Sequence, residues 1–250
     1  MPRRSRCLFC HNTDLTLEHI WPDWLVQEYK IRVPPARGRF TAERIAPHKD
    51  TFRFLAGTIL HKERIVCGPC NHEWMSQTEG CAIPILKPLI FDEQPSATLE
   101  TLDICTIAAW TTLRSMVFDG IALAKHQYYS SSERAWFAQS PSMSPPWNTH
   151  IWLLKYAGEP HSAKFHVVNK VVSKSKGIHT LAVLMHRLAI KLVTWKGHDR
   201  EFDTNSLRAW SQFAVKIWPY NGASIAWPPI QALPREFYET FRYWLAERPR

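Results

Sequence analysis

Cys7-Leu8-Phe9-Cys10 and, much further along, Cys67-Gly68-Pro69-Cys70-Asn71 are the stretches whose reading decides the fold. A Cys-x-x-Cys turn aims two sulfurs at one point, and two such turns supply the tetrahedral thiolate set that zinc prefers, with bonds of about 2.3 Å. A site closed by four cysteines is structural rather than catalytic. The second pair runs directly into Asn71-His72-Glu73-Trp74-Met75-Ser76-Gln77-Thr78-Glu79, which holds no Pro or Gly and reads as a helix. One zinc would therefore tie an N-terminal knuckle to the first turn of a helix, with a β-hairpin supplied by the chain between. Leu15-Thr16-Leu17 alternates as a short strand that delivers Glu18 and His19 to the end of that hairpin. Phe52-Arg53-Phe54-Leu55 and Glu63-Arg64-Ile65-Val66 read as strands leading into the second knuckle.

Taken together, Cys-x-x-Cys, then Glu18-His19-Ile20-Trp21-Pro22, then Cys67-x-x-Cys70-Asn71-x-x-Trp74-Met75-Ser76-x-x-Glu79 resemble the HNH endonuclease superfamily. The likeness is to its treble-clef (ββα-metal) members with a four-cysteine zinc site, and it covers about the first third of the chain. The resemblance implies a metal-dependent endonuclease that hydrolyses DNA phosphodiester bonds and leaves a 5′ phosphate. It makes His19 the general base, a role suited to an imidazole whose ordinary pKa is near 6.5. It makes Glu18 and Asn71 the ligands of a catalytic Mg²⁺ or Mn²⁺, hard cations that take oxygen donors. Two features depart from the superfamily pattern. No Asn stands in His61-Lys62-Glu63-Arg64-Ile65-Val66 to orient the base, so another group must do so, and Glu rather than Asp precedes the histidine. Restriction, phage defence or a mobile element is the setting such proteins suggest, with a homodimer or a partner protein of a defence system as company. The alternative from a different class is a non-catalytic treble-clef module that binds nucleic acid or protein.

Composition bounds the rest. The chain has 250 residues, 45% hydrophobic and 21% charged, which is the balance of a globular protein. Six cysteines in this length do not make a disulfide scaffold. With four in metal spacing a reducing cytoplasm is expected, and Cys81 and Cys105 are then expected to be small buried hydrophobes. Met1-Pro2-Arg3-Arg4-Ser5-Arg6 is basic but precedes no apolar run, so it does not read as a signal peptide, and no run reaches the length of a membrane helix. The net charge of +9 favours a polyanionic partner, since neutralised phosphates release counterions. Arg3, Arg4, Arg6, Arg37, Arg39 and His72 are the candidate nucleic-acid contacts. Val33-Pro34-Pro35-Ala36-Arg37-Gly38-Arg39 reads as a basic, turn-rich loop near the substrate. Trp21 reads as a packed ring, and Trp24 and Leu25 as inward-facing residues of a short helix. Gln77 and Glu79 are expected to face away from Asn71 or to sit more than a turn off, with Glu79 in a structural hydrogen bond.

The expected architecture is α+β: a zinc-stapled ββα-metal unit in residues 1–95, then in 96–250 an α+β accessory domain with an antiparallel sheet and flanking helices, suited to binding substrate. Gly80, Pro84 and Pro88 punctuate 80–97 and suggest a break there, with Thr98 as the cap of the next helix. From Thr101 to Phe118 the residues Leu102, Cys105, Ala109, Leu113 and Met116-Val117 recur at helical spacing, an amphipathic stripe. Ile151–Tyr156, Phe165–Val168 and Val215–Trp218 read as strands; Thr180–Trp195 reads as strand by the alternation of Leu188, Ile190 and Leu192 or as a buried helix by its length, with strand preferred; and Pro234–Arg248 reads as a closing helix with Phe237, Phe241, Trp244 and Leu245 inward.

Overall fold

The computed structural model describes residues 5–33, 40–45, 52–56, 62–94, 96–121, 126–140, 143–146, 148–158, 163–173, 176–197 and 210–243. Helices and largely antiparallel sheets mix in the α+β manner expected, with a cysteine cluster near the N-terminus. β1 (Leu15–His19) pairs antiparallel with β4 (Lys62–Cys67), so the expected hairpin closes with His19 opposite Lys62 and Leu15 opposite Cys67. Between them lie α1 (Asp23–Arg32), β2 (Phe40–Ile45) and β3 (Phe52–Ala56). α1 buries Leu25, Val26 and Tyr29, and Trp21 packs edge-on against Phe118 at 6.1 Å between ring centroids.

The chain leaves β4 through α2 (Gly68–Cys70) and a π-helical turn over Asn71–Met75, then continues as α3 (Ser76–Phe91). The break expected around Gly80, Pro84 and Pro88 does not occur. These residues stand four apart, so they share one stripe of α3, and Gly80 and Pro84 are exposed on it. Each proline removes one N–H bond, but the carbonyls left over face water, while Thr78, Ala82, Leu86, Leu89 and Ile90 pack the opposite side. Gly80 has nothing within 4 Å of where a Cβ would sit, so the ring of Pro84 has room to lie beside that turn. Cys81 is exposed near the same stripe and Cys105 only half-buried, so neither is the fully buried hydrophobe expected.

β5 (Ala97–Leu99) pairs with β11 (Ile225–Trp227), and α4 (Thr101–Gly120) follows. Its cap is Glu100 rather than Thr98: the Asp103 side chain accepts the Glu100 N–H at 3.0 Å, while Thr98 lies within β5. The amphipathic stripe is also corrected. Leu102 is 77% exposed, yet every residue from Ile107 to Gly120 is buried, because α4 is surrounded rather than laid on one surface. α5 (Ser131–Gln139) is opened by a capping box between Ser130 and Glu133.

The main sheet has seven strands in the order β10-β6-β9-β8-β7-β2-β3, with β6 (Thr149–Lys155), β7 (Ala163–Ser173), β8 (Lys176–Met185), β9 (Leu188–Lys196) and β10 (Ala214–Trp218). All pairings are antiparallel except β2 with β7. Both faces are covered, which is why the 180–195 segment reads as near-continuous hydrophobicity. Leu181, Val183, Ile190 and Leu192 join the core shared with α1, α3 and α4, and Ala182, Leu184, Ala189 and Val193 face the core under α6 (Tyr238–Tyr243). The closing helix begins as a 3₁₀ turn over Arg235–Phe237; Phe241 is buried and Phe237 is 45% exposed. Trp244 and Leu245 lie outside the described residues. Packing runs across residue 95: α1 and α3 share one core with α4 and the sheet, and the hairpin β2–β3 extends that sheet. No helix among the described residues is long and apolar enough to cross a membrane.

At the C-terminal end of α4 a polar network is fully enclosed. Asp119 accepts from the N–H groups of Tyr128 and Tyr129, from Asn169 Nδ2 and from Arg134. Asn169 Oδ1 meets His179 Nδ1, and His179 Nε2 meets the Ser115 hydroxyl, which contacts Tyr129. Asp119, Arg134, Asn169, His179 and Ser115 are each at most 2% exposed. Buried groups of this polarity persist because nearly every donor and acceptor is matched.

Candidate functional site

The sulfur cluster is built by backbone turns. Cys7 N–H bonds the Asn12 carbonyl at 2.7 Å, and Leu8 N–H bonds the Ile65 carbonyl at 2.7 Å, which lays the knuckle against β4. His11 closes the turn in the left-handed region at φ 65°. The ligand atoms of Cys7, Cys10, Cys67 and Cys70 lie within 4.8 Å of one another, with the Cys10 and Cys67 sulfurs 3.3 Å apart. All four thiols are free, and 3.3 Å is far beyond the roughly 2.05 Å of a disulfide bond. A zinc–sulfur bond of about 2.3 Å puts the corners of its tetrahedron about 3.8 Å apart, so the set fits a structural zinc. The surroundings favour thiolates as well. Phe9 N–H points at Cys7 Sγ at 3.5 Å, and the Trp74 side chain beside Cys70 favours its thiolate. The hydrogen bond with Cys70 holds the Cys7 thiol well below its ordinary range and pushes Cys70 up, while burial pushes Cys67 up. A divalent cation is what brings all four sulfurs to thiolates. Trp74 also stands edge-on to Phe9 at 4.9 Å and to Phe137 at 6.2 Å, tying the cluster to α5.

The second group of side chains converges where β1 meets the helix start. Asn71 Nδ2 donates to Thr16 Oγ1 at 3.3 Å and to the Leu17 carbonyl at 3.4 Å. A carbonyl only accepts, so this contact fixes which end of the amide is nitrogen and leaves Asn71 Oδ1 without a partner among the described residues. Glu18 points inward and is 6% exposed. Its Oε1 accepts from Arg114 Nη1 at 3.1 Å, and Arg114, itself 2% exposed, comes from the middle of α4. The other guanidinium nitrogen, Nη2, stands 2.8 Å from Glu79 Oε1, an ion-pair contact set off the hydrogen-bonding direction. Arg114 Nη1 is also 3.4 Å from the His19 carbonyl. Glu18 Oε2 has no hydrogen-bond partner among the described residues and is not wholly enclosed. Burial raises the Glu18 carboxyl above its usual range even though Arg114 opposes it, and Glu79 adds to the rise.

His19 is partly exposed, with Nε2 3.6 Å from Asp23 Oδ1 in the first turn of α1. Burial lowers its pKa below the ordinary value and Lys62, its cross-strand partner, lowers it further, against the opposing pull of Asp23 and Glu79. The imidazole therefore stays neutral through neutral pH.

Sequence reading placed Glu18, His19 and Asn71 in one neighbourhood, and β1 and the helix start are adjacent. Glu79 has a structural partner, as expected, but as an ion pair rather than a hydrogen bond: it is drawn to the same guanidinium as Glu18. His72 is exposed next to Asn71 and near enough to act on the charge of Glu18. Arg6 is exposed beside the knuckle. Arg3, Arg4, Arg37 and Arg39 lie outside the described residues. Arg114, Asp23 and Lys62 escaped sequence reading. Arg114 sits in a helix with no motif around it; Lys62 was legible in principle, since a strand ending at His19 implies a cross-strand neighbour.

The chain matches no family model, and no curated protein or solved structure matches it significantly. What the site can do is argued from its own residues.

Proposed function

We propose that this protein is an HNH-type, metal-dependent endonuclease acting on nucleic acid, with DNA the expected substrate. The observation that carries the reading is the Asn71 amide bound to the Leu17 carbonyl: the helix that leaves the cysteine cluster is docked against the strand that presents Glu18 and His19. The oxygens left over at that junction, Asn71 Oδ1 and Glu18 Oε2, suit a hard cation, and would hold Mg²⁺ or Mn²⁺. Such an ion supplies Lewis-acid stabilisation of charge on the scissile phosphate and its leaving oxygen. His19 takes the proton of the attacking water as the water oxygen bonds to phosphorus and the bond to the 3′ oxygen breaks. Asp23 lies on the Nε2 side of the ring and attracts the proton there, which leaves Nδ1 as the base. Asp23 thus fills the orienting role for which the sequence shows no Asn. Lys62, Arg64, Arg6 and His72 surround the hairpin as phosphate contacts, in keeping with the net charge of +9.

The opposing reading, a binding module without catalysis, is favoured by one feature: a buried Glu18 held by arginine is also what a structural ion pair looks like. Incubation of zinc-loaded protein with supercoiled plasmid and Mg²⁺ or Mn²⁺ separates the two. Nicking is expected, with His19→Ala slower by about 10²–10⁴-fold, the usual worth of a general base. Full cutting by His19→Ala would remove His19 as the base. Tight nucleic-acid binding without cutting, across metals and across DNA and RNA substrates, would establish the module.

A further inference from the structure

The nuclease reading leaves one strongly placed charge unused. Arg114 belongs to α4, outside the cysteine-stapled hairpin and helix, yet its guanidinium lies between their two carboxylates. One nitrogen reaches Glu18 on β1 at 3.1 Å and the other reaches Glu79 on α3 at 2.8 Å, with the His19 carbonyl at 3.4 Å. A guanidinium with two separate terminal nitrogens can hydrogen-bond Glu18 with one and stand against Glu79 by charge with the other, whereas a lysine must share a single nitrogen between both carboxylates.

We propose that Arg114 is a positioning residue of the candidate centre: it occupies one oxygen of Glu18, leaves the other for a divalent cation, and uses Glu79 as the anchor that fixes its own fork. The proposal rests on the nuclease reading above and names the group that sets the geometry of its metal ligand. Three features support it. Arg114 is 2% exposed, so it is out of reach of substrate and acts through Glu18 rather than on phosphate. Its Nε has no hydrogen-bond partner, so the two terminal nitrogens carry its polar contacts with the site. Its bonds meet the site from the α4 side, whereas the Asn71 amide meets β1 through Thr16 and Leu17, so the two side chains hold the strand through different atoms. Without the fork, a carboxylate at the end of a four-bond side chain has several rotamers, and only some turn an oxygen to the cation.

The test uses zinc-loaded full-length protein and two readouts. Cleavage kinetics of Arg114→Ala and Arg114→Lys are compared with wild type, and Mn²⁺ binding is titrated by electron paramagnetic resonance without substrate. For both variants kcat is expected to fall about 100-fold with KM changed less than 3-fold, and the Mn²⁺ dissociation constant to rise at least 10-fold. Millimolar guanidinium should restore part of the kcat of Arg114→Ala, where equal sodium chloride does not; a purely structural arginine gives no such rescue. Wild-type kcat and Mn²⁺ affinity in Arg114→Lys would overturn the proposal, since charge alone would then suffice. Should Arg114→Ala fail to fold, Glu79→Gln decides: it keeps the Glu18 pair and removes the anchor, and should weaken Mn²⁺ binding at least 3-fold, with an unchanged constant counting against us. Should wild type cut nothing, the nuclease reading fails, and the Mn²⁺ titrations still judge Arg114 by the same thresholds.

Discussion

Replacing Asp119 with Asn should be among the most damaging changes of a single atom in this protein. The side chain is completely buried and accepts bonds on both oxygens: Tyr128 N–H at 2.9 Å and Asn169 Nδ2 at 2.7 Å on Oδ1, Tyr129 N–H at 3.0 Å and Arg134 on Oδ2. An asparagine has one acceptor and one donor in that place. Turned either way, its NH₂ meets another donor, Asn169 on one side or Arg134 on the other. Asn169 cannot rotate to help without losing its carbonyl contact with His179. Arg134, 2% exposed, meanwhile keeps its charge with the Gln127 side-chain oxygen at 3.1 Å, the Tyr129 ring face and the nearby Glu133 charge in partial compensation. Removing one partner of a buried pair costs about 3–5 kcal/mol. That is a large share of the roughly 5–15 kcal/mol that holds a domain folded. At about 2–4 °C per kcal/mol for this chain length, the melting temperature should fall by about 6–20 °C. Urea titration followed by tryptophan fluorescence measures the loss, and Arg134→Met supplies the other arm of a double-mutant cycle. The double variant should be more stable than the sum of the two losses predicts, by at least about 2 kcal/mol, because the orphaned charge is gone. A loss below about 1 kcal/mol in Asp119→Asn, or strict additivity in the cycle, would refute the reasoning.

Two further outcomes bear on the site. Because burial and Lys62 lower the pKa of His19, its base form persists to lower pH, so the acid limb of kcat/KM should lie below pH 6.5; Lys62→Ala removes one of the charges responsible and should move that limb upward. A limb at or above 6.5 in the wild type, or a downward move in the variant, contradicts the assignment. Metal analysis should find one tightly held zinc per chain, and Cys70→Ser should lose it along with the near-ultraviolet circular dichroism of Trp74, which lies beside Cys70 and stands against Phe9. Zinc held at full stoichiometry after that substitution would mean another ligand set.

Local signals carried far into this fold. The two Cys-x-x-Cys turns announced their meeting because thiol spacing is read without any knowledge of what surrounds it. The strands in 149–155 and 214–218 announced themselves by β-branched and aromatic content, and β9 by the alternation of Leu188, Ile190 and Leu192, while the stretch as a whole reads equally as a buried helix. What the sequence withheld was each feature set by a distant neighbour. Gly80, Pro84 and Pro88 look like a break until they are seen to share the solvent side of α3. Leu102 looks like the start of a buried stripe, but it points outward and the helix enters the core at Ile104 instead. Arg114 looks like an ordinary polar interruption in an apolar helix, since nothing local tells that two carboxylates wait for it. The same holds for β2, which sequence reading does not single out as a strand: it pairs with β3 and runs parallel to β7, more than a hundred residues further along the chain.

α4 is the reason the chemistry of the first third cannot be separated from the rest. Within two turns it presents Arg114 to Glu18 and Glu79, Ser115 to His179, and Asp119 to Arg134 and Asn169. At its last residue it comes so close to the first cysteine knuckle that a Cβ on Gly120 would sit 2.7 Å from the Leu8 side chain. Leu113, Met116 and Val117 fill the space around the cysteine cluster between those polar contacts. A fragment ending at residue 95 would expose that apolar floor and leave Glu18 and Glu79 without their shared counter-charge. Zinc would still hold the two turns together, but the strand end that carries His19 would have lost the group that fixes it. The physical arrangement is therefore a cysteine cluster, fit for a structural zinc, that joins the hairpin to its helix and a buried arginine that holds the hairpin's end, and the second acts only if the whole chain is folded around α4.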